Sequence, residues 1–299
     1  MPRRPYPFFE ALIAPARPSA SLPQLFTGSL IVVLGFFTSV YIASILLRAL
    51  LPADLSERLF AALEDGGTAA GVLGNLFIFI FALLALNVAL RQVHGRSLAS
   101  LLGPTRLATL QFRRVCLYLA GLHLAISVLM PTPPDFVPEP NLDPALWLTL
   151  LPLALLALLI QTGTEELVFR GYLQSQLAAR FHAPWVWILV PSAAFGVLHH
   201  DPAMNGDNTW LIVLWATAFG IAAADLTARA GTLGPAIALH FINNFAAILL
   251  AAPEGNFDGL ALYSMPFSLE DRGAVWLWAP VDLMVLFCSW LAARLALRR

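Results

Sequence analysis

Three short stretches of this sequence carry ionisable and amide side chains inside segments that are otherwise apolar. They hold Glu165, Glu166 and Arg170 in QTGTEELVFRGYL (161–173), His199 and His200 in SAAFGVLHHDP (192–202), and His240, Asn243 and Asn244 in ALHFINNFA (238–246). A charged group inside a membrane span costs a few kcal/mol, so such groups usually face a cavity and mark function. Carboxylates, imidazoles and amides together are groups that a hydrolase uses.

In the first stretch the two carboxylates point in different directions and can therefore have different roles. Glu166 and Arg170 are spaced i,i+4, so on a helix they share one face and can pair. Glu165 is rotated from Glu166 by about 100°, given 3.6 residues per turn. One carboxylate is then neutralised while the other is available as a general base. The structural alternative is an ordinary ion pair at an interfacial helix end.

The other two stretches repeat the one-turn spacing. Phe195 and His199 share a face, whereas His200 points away toward the acidic loop that begins at Asp201. His240 and Asn244 can both donate hydrogen bonds toward one point, as an oxyanion requires. Packing of a core histidine, and hydrogen bonds that hold membrane helices together, are the structural alternatives.

Taken together, the three stretches predict hydrolysis by an activated water molecule, because no serine or cysteine is placed as an obvious nucleophile. Glu165 and His199 would hold and deprotonate the water. His240 and Asn244 would stabilise the tetrahedral oxyanion of a cleaved amide. Asp225 and Arg229, also spaced i,i+4, are interpreted as a structural ion pair.

Composition shows what must position these residues. Of 299 residues, 59% are hydrophobic and 12% charged, with a mean hydropathy of +0.76. Soluble domains carry about 25% charged residues, so a bilayer is the expected solvent. Eight segments fit spans of about 20 residues, and they are 25–47, 69–90, 115–130, 145–162, 185–200, 209–228, 233–252 and 274–296. The predicted fold is an all-α polytopic transmembrane helical bundle.

The positive charges predict the orientation of the bundle. All 17 basic residues are arginine, and eight spans place only Arg48, Arg58 and Arg272 on the side opposite the N-terminus. Thirteen others fall on the N-terminal side, and Arg170 lies within the first polar stretch; this distribution indicates cytoplasmic N- and C-termini. The opposite loops are acidic. Residues 1–24 are expected to form a cytoplasmic arm without a cleavable signal peptide, and 97–114 either an interfacial segment or an ordinary arginine-rich loop.

The remaining chain divides into N-terminal membrane helices (25–144), a core that carries the three stretches (145–252), and a loop with the last span (253–299). Cys116 and Cys288 lie in apolar runs and are interpreted as small buried residues, not as a disulfide framework or a zinc site. The net charge of −1 does not indicate nucleic acid as a partner.

The three stretches resemble the motifs of one family of membrane proteases. EELVFRG (165–171) is similar to the EExxxR signature of type II CAAX prenyl endopeptidases, a family that includes bacteriocin-processing and abortive-infection-related proteases. FGVLH (195–199) resembles its FxxxH motif and HFINN (240–244) its HxxxN motif, in the same order. The likeness covers roughly residues 145–250, about a third of the chain.

This resemblance implies that Glu165 and His199 activate water, that His240 and Asn244 stabilise the oxyanion, and that Glu166 and Arg170 support them. No cofactor is firmly implied. Members of the family have been described as metal-independent glutamate-type peptidases and as metalloproteases, so zinc bound by Glu165, His199 and His240 is the alternative. The implied partner is a membrane-associated peptide or protein substrate, which a lipid group could modify. A bacterial inner membrane is the expected location.

Two other function classes stay open at this point. A non-catalytic binding or bacteriocin-immunity protein could use the same fold, and a proton-coupled transporter also uses buried carboxylates and histidines. A site shared by Glu165 and His199 further requires the fourth predicted helix to be long and tilted, extending past Arg170. The site would then lie in the cytoplasmic half of the membrane.

Overall fold

The computed structural model describes residues 6–298, apart from the side chain of Asp65. Its long helices are α1 (Leu22–Leu50), α2 (Ala53–Asp65), α3 (Ala69–His94), α4 (Thr105–Leu129), α5 (Pro144–Arg180), α6 (Pro184–Val197), α7 (Thr209–Ala230), α8 (Gly234–Leu250) and α9 (Arg272–Leu297). Short helices occupy Pro7–Phe9, Glu10–Ile13, Ala14–Ser19, Ala99–Leu102, Pro134–Phe136, Pro202–Asn205, Gly206–Asn208 and Asp258–Leu260.

The helices confirm the predicted all-α polytopic bundle. Within residues 6–298, six helical segments are long and apolar enough to cross a membrane, namely α1, α3, α4, α5, α9 and the segment Pro202–Ala230 that contains α7. The apolar helices α6 and α8 are shorter and coincide with the fifth and seventh predicted spans, so that eight crossings stay a prediction. The chain is therefore an integral, multi-pass membrane protein.

Two helices begin or end away from the predicted positions. Helix α4 begins at Thr105, directly after Gly103-Pro104, so residues 105–114 belong to the third crossing and not to a separate interfacial segment. Helix α5 continues to Arg180, as the geometry of the site required. Its 37 residues correspond to about 55 Å, well beyond the hydrocarbon core of about 30 Å. Helix α2 lies in a loop where no helix was predicted.

One end of the bundle collects the acidic loops. A three-stranded sheet forms there from β1 (Glu139–Pro140), β2 (Ala251–Pro253) and β3 (Tyr263–Met265) in the order β1-β3-β2, with β1 antiparallel and β2 parallel to β3. The Gly259 amide donates to the Gly66 carbonyl at 3.2 Å, and Asn208 Nδ2 donates to the Leu269 carbonyl at 2.9 Å. These bonds join acidic loops that a topology with an even number of spans places on the same side.

The other end collects the arginine-rich loops and the N-terminal arm, and we call it the arginine-rich side. Tyr6 in the arm donates to Asp225 Oδ1 at 2.8 Å, and Asp225 also accepts from Trp290 and Arg229. The arm, α7 and α9 therefore meet at one end, which places both described ends of the chain on the same side. Arg3, Arg4 and Arg299 lie outside the described residues. That this side is cytoplasmic stays a prediction.

Close helix contacts hold the three polar stretches near each other. A Cβ on Gly196 would lie 2.0 Å from Thr217 Oγ1, and one on Gly220 would lie 2.8 Å from Ser192 Cβ, so α6 and α7 approach closely. A Cβ on Gly234 would lie 2.1 Å from the Ala108 carbonyl oxygen, which brings α8 against α4. A buried apolar cluster that includes Phe169, Phe195, Phe219 and Leu239 surrounds the region between these helices.

Candidate active site

Helix α5 changes its geometry directly after the two adjacent glutamates. The α-helix ends at Glu166, and Leu167–Gln174 continues as π-helix before α-helical geometry resumes at Ser175. Helix α8 does the same after Asn244, with π-helix over Phe245–Leu250. Insertions of this kind widen a helix turn and are frequent at functional sites. Both motif-bearing helices thus present their polar residues at an α-to-π junction.

Glu166 is the central acceptor of a buried charge cluster. Its Oε1 accepts a hydrogen bond from Arg170 Nη1 at 2.8 Å, and both side chains are fully buried. The Arg170 guanidinium also lies over the ring of Phe195, 4.6 Å from its centroid. The predicted i,i+4 pair therefore exists, inside the protein and not at an exposed helix end. Glu166 Oε2 and Arg170 Nε and Nη2 are buried with no hydrogen bond to the described residues.

His240 lies between the two glutamates. Its Nδ1 is 2.8 Å from Glu166 Oε1, and its Nε2 is 3.4 Å from Glu165 Oε2. The ring is also packed against Phe219, with centroids 4.9 Å apart, which fixes its plane. Because Glu166 accepts from Arg170 as well, its carboxylate orients both the arginine and the histidine.

A chain of amides continues from Glu165. Gln161 Nε2 donates to Glu165 Oε2 at 2.9 Å, and Gln161 Oε1 accepts from Asn244 Nδ2 at 3.1 Å. Asn243 Nδ2 in turn donates to Asn244 Oδ1 at 3.2 Å. Helices α5 and α8 are therefore connected by a continuous polar network at the level of Glu165.

His199 reaches the same place from α6. It lies two residues beyond the helix end at Val197, and its Nδ1 is 2.9 Å from the carbonyl oxygen of Phe195, one turn earlier. A carbonyl can only accept, so Nδ1 carries the proton and Nε2 is left as an acceptor. His200 is turned away and packs edge-on against Trp210, as expected from the sequence.

A small cavity of about 50 Å³ lies beside this network and is lined by Gln161, Phe195, His199, Trp215, Phe219, His240, Asn243 and Asn244. Glu165 is not among the lining residues but contacts two of them, Gln161 and His240. One water molecule takes up about 30 Å³ in the liquid, so the cavity is of water size. Polar side chains from α5, α8 and the end of α6 meet aromatic rings of α6 and α7 there. The arrangement can hold a water molecule between a base and hydrogen-bond donors.

Comparison with known proteins agrees with this geometry. Residues 147–246, which contain all three motifs, match the family model described as Type II CAAX prenyl endopeptidase Rce1-like. The matched segment, about a third of the chain, is similar to that family. The resemblance inferred from the three motifs is thereby confirmed for this segment of the chain.

The chain is also similar to a curated protein, YyaK of Bacillus subtilis (strain 168), which is named an uncharacterized protein. It is 27% identical to this chain over 192 residues, which cover 61% of this chain and 62% of YyaK. The chain thus spans about three-fifths of the length of that curated relative. No solved structure matches the chain.

Within residues 147–246, the six predicted site residues share one polar network or its cavity. The contacts differ from the predicted pairs in one respect, because Glu165 contacts His240 and Gln161, whereas the bond of His199 is to the Phe195 carbonyl. His240 is thus the residue that connects both glutamates, a position that the one-turn spacing of the motifs does not reveal.

Some residues of the site were not predicted. Gln161 stands one turn before Glu165 in an apolar run, and that polar interruption was the available signal. Trp215 and Phe219 line the cavity, but aromatic residues are common in membrane helices and carry no such signal.

The zinc alternative requires several ligand atoms around one point. Glu165 Oε2 and His240 Nε2 lie 3.4 Å apart, but among the described residues no group of three His, Cys, Asp or Glu side chains is positioned to hold a metal ion. Glu166 Oε1 is already bonded to Arg170 and His240. The alternative ligand set of Glu165, His199 and His240 is therefore not gathered around one point among the described residues.

Proposed function

We propose that this protein is an intramembrane endopeptidase, in which Glu165 activates a water molecule for attack on a peptide bond. The observation that carries the proposal is the contact of Glu165 Oε2 with His240 Nε2 at 3.4 Å, because His240 lines a water-sized cavity together with His199 and Asn244. The Rce1-like match over residues 147–246 supports a CAAX-type protease at the level of the family.

The proton between Glu165 and His240 is the chemical core of the proposal. His240 Nδ1 donates to Glu166, so its Nε2 faces Glu165 Oε2 as a second contact with a carboxyl group. A favourable contact there needs one proton, held either on Nε2 or on the Glu165 carboxyl. Only the form with this proton on Nε2 leaves the Glu165 carboxylate ionised, so that it can take a proton from water and pass it to the leaving amine.

The reaction would use the groups in sequence. Glu165 accepts a proton from the water, which His199 Nε2 orients as a hydrogen-bond acceptor. The hydroxide oxygen bonds to the carbonyl carbon of the peptide, and the resulting oxyanion accepts hydrogen bonds from His240 and Asn244 Nδ2. Collapse breaks the C–N bond, and the proton on Glu165 moves to the amine. Asn244 would exchange its bond to Gln161 for one to the substrate.

The substrate in this proposal is a membrane-associated peptide or protein, with or without a lipid group. Aromatic side chains of Phe195, Trp215 and Phe219 surround the cavity and would exclude bulk water from the reacting atoms. The arginine distribution supports cytoplasmic termini, and a location in a bacterial inner membrane, with the site in its cytoplasmic half, is part of this proposal.

Cleavage of fluorogenic peptides by the purified full-length protein in vesicles tests the proposal, with matched lipidated and unlipidated peptides as two arms. We expect Glu165→Gln and His199→Ala each to lower kcat at least 100-fold, as is typical for a lost general base. His200→Ala is the matched control, because that neighbouring histidine packs on Trp210 outside the cavity. Full activity of either site variant would refute the assignment.

Two further outcomes separate this proposal from its alternatives. Activity that survives a zinc chelator agrees with water activation by Glu165, whereas loss on chelation and recovery on adding zinc would support the metalloprotease. If no peptide is cleaved, the membrane proteomes of wild-type cells and a Glu165→Gln strain are compared. Identical precursor levels there would favour a binding or transport protein over a peptidase.

A further inference from the structure

A second cavity lies on the arginine-rich side, far from the candidate active site. Its volume is about 370 Å³, and it is lined by Arg17, Pro18, Ala20, Ser21, Gln24, Ala179 and Arg180. It shares no lining residue with the first cavity. Ala179 follows Glu166 by 13 residues on α5, which corresponds to roughly 20 Å along the helix. We call this cavity the arm pocket.

The charge of the arm pocket favours an anion. Arg17 donates from Nη1 and Nη2 to the carboxylate of Glu10, with Nη2 to Oε2 at 2.8 Å. That leaves three of the five guanidinium protons of Arg17 for another acceptor. Arg180 has no carboxylate partner among the described residues, and its guanidinium lies 6.0 Å from the ring centroid of Phe181. The three charged groups together carry one net positive charge.

The position of the arm pocket favours an anion that carries hydrocarbon. Ser21 caps α1, and Leu22 and Phe26 in the first turns of that helix are 47% and 70% exposed. Helix α1 has the highest mean hydropathy of the six long apolar helices, and only 6% of its apolar stretch is buried in the protein. Because this lipid-facing helix begins at the pocket, an anion held between Arg17 and Arg180 would lie at the end of the apolar span, where lipid headgroups are found.

We propose that the arm pocket binds the phosphate headgroup of an anionic phospholipid, with the acyl chains extending along the exposed apolar surface of α1. Basic pockets at the ends of membrane helices bind such headgroups through charge and hydrogen bonds. A free phosphate ion would use the arginines but would gain nothing from the exposed apolar residues. The charge and the surrounding surface together therefore select the lipid.

The bound lipid would join three parts of the chain. Arg17–Ala20 belong to the N-terminal arm, Ser21–Gln24 to the start of α1, and Ala179–Arg180 to the end of the helix that carries Glu165. A ligand that binds only the assembled pocket stabilises the folded state by mass action. Anionic lipid is therefore expected to raise the unfolding temperature of the full-length protein.

The experiment uses the full-length protein in nanodiscs of phosphatidylcholine, with and without phosphatidylglycerol. Native mass spectrometry measures which lipid is retained, and thermal unfolding measures the stabilisation. The test variant is Arg17→Gln/Arg180→Gln. The matched control, Arg106→Gln/Arg298→Gln, removes the same charge from two exposed arginines predicted to lie on the same side of the membrane.

We expect the wild type and the control to retain phosphatidylglycerol preferentially. The test variant should lose about five-fold of this preference for each arginine, from the contribution of one basic side chain near an anionic membrane. Equal preference in test variant and wild type, or an equal loss in the control, would overturn the proposal. A stabilisation by inorganic phosphate in detergent that matches that of phosphatidylglycerol would show a free-anion site instead. If the double variant does not fold, Arg180→Gln alone carries the same comparison.

Discussion

Arg170 offers the sharpest test of the buried charge cluster. It is fully buried, donates to Glu166 at 2.8 Å and lies over the ring of Phe195. The substitution Arg170→Met keeps most of the volume of the side chain but removes its charge. Glu166 then keeps only its contact with His240 Nδ1, also at 2.8 Å.

The expected cost follows from that remaining environment. Removing one partner of a buried ion pair typically destabilises a protein by about 3–5 kcal/mol, because the other charge stays buried without compensation. His240 offsets part of this loss, so we expect about 3 kcal/mol for Arg170→Met. The second substitution Glu166→Gln removes the uncompensated charge, so the double variant Glu166→Gln/Arg170→Met should cost less than the sum of the two single variants.

The measurement is the free energy of unfolding in mixed micelles, titrated with a denaturing detergent. Arg229→Met is the matched control, because Asp225 keeps its hydrogen bonds from Tyr6 and Trp290 when Arg229 is lost. That partly exposed pair should contribute only about 1 kcal/mol or less. A cost for Arg170→Met no larger than that of the control, or strict additivity in the double variant, would refute the reasoning.

Two further predictions concern the packing of α1 and the docking of the arm. A Cβ at Gly28 would lie 2.1 Å from the hydroxyl of the fully buried Tyr172. Gly28→Ala should therefore destabilise the protein by about 1–3 kcal/mol in the same unfolding titration. The control Gly121→Ala should not destabilise it, because a Cβ there meets no atom within 4 Å. Burial, followed by the hydrogen bond to Asp225, raises the pKa of Tyr6 from 10.0 to about 12. Since the folded state holds this proton more tightly, its contribution is complete below pH 10 and is lost as the pH rises toward 12. Between pH 10 and pH 12 the free energy of unfolding should therefore fall more steeply with pH in the wild type than in Tyr6→Phe. Identical slopes in the two proteins would contradict the docked arm.

The membrane crossings were the most predictable part of the fold, because a span is a property of local composition. Helix α9 (Arg272–Leu297) lies within two residues of the predicted 274–296 at each end, and α7 and α8 agree about as closely. The boundary of α4 was missed because Thr105–Arg114 is amphipathic and arginine-rich. From its sequence such a segment is predicted to be a loop. In the structure it is helical, and Gly234 packs against its Ala108.

The members of the site were predictable, but their partners were not. Spacing along one helix correctly paired Glu166 with Arg170, since i,i+4 neighbours are local. The contacts of His240 with both glutamates depend on how α8 packs against α5, and nothing in either helix alone specifies that packing. The bond of His199 Nδ1 to the Phe195 carbonyl needs the helix to end at Val197, two residues before the histidine.

Charge balance explains why these particular residues occur together in an apolar interior. Two carboxylates, Glu165 and Glu166, face one permanent cation, Arg170, so the group carries a net charge of −1 before His240 is counted. One proton shared between His240 Nε2 and Glu165 Oε2 brings the cluster to neutrality, which strongly lowers the cost of burying it. In the proposed mechanism this proton stays on His240 Nε2, where it donates to the oxyanion, and it leaves Glu165 ionised to take a proton from water. Stability and reactivity would then depend on one contact of 3.4 Å.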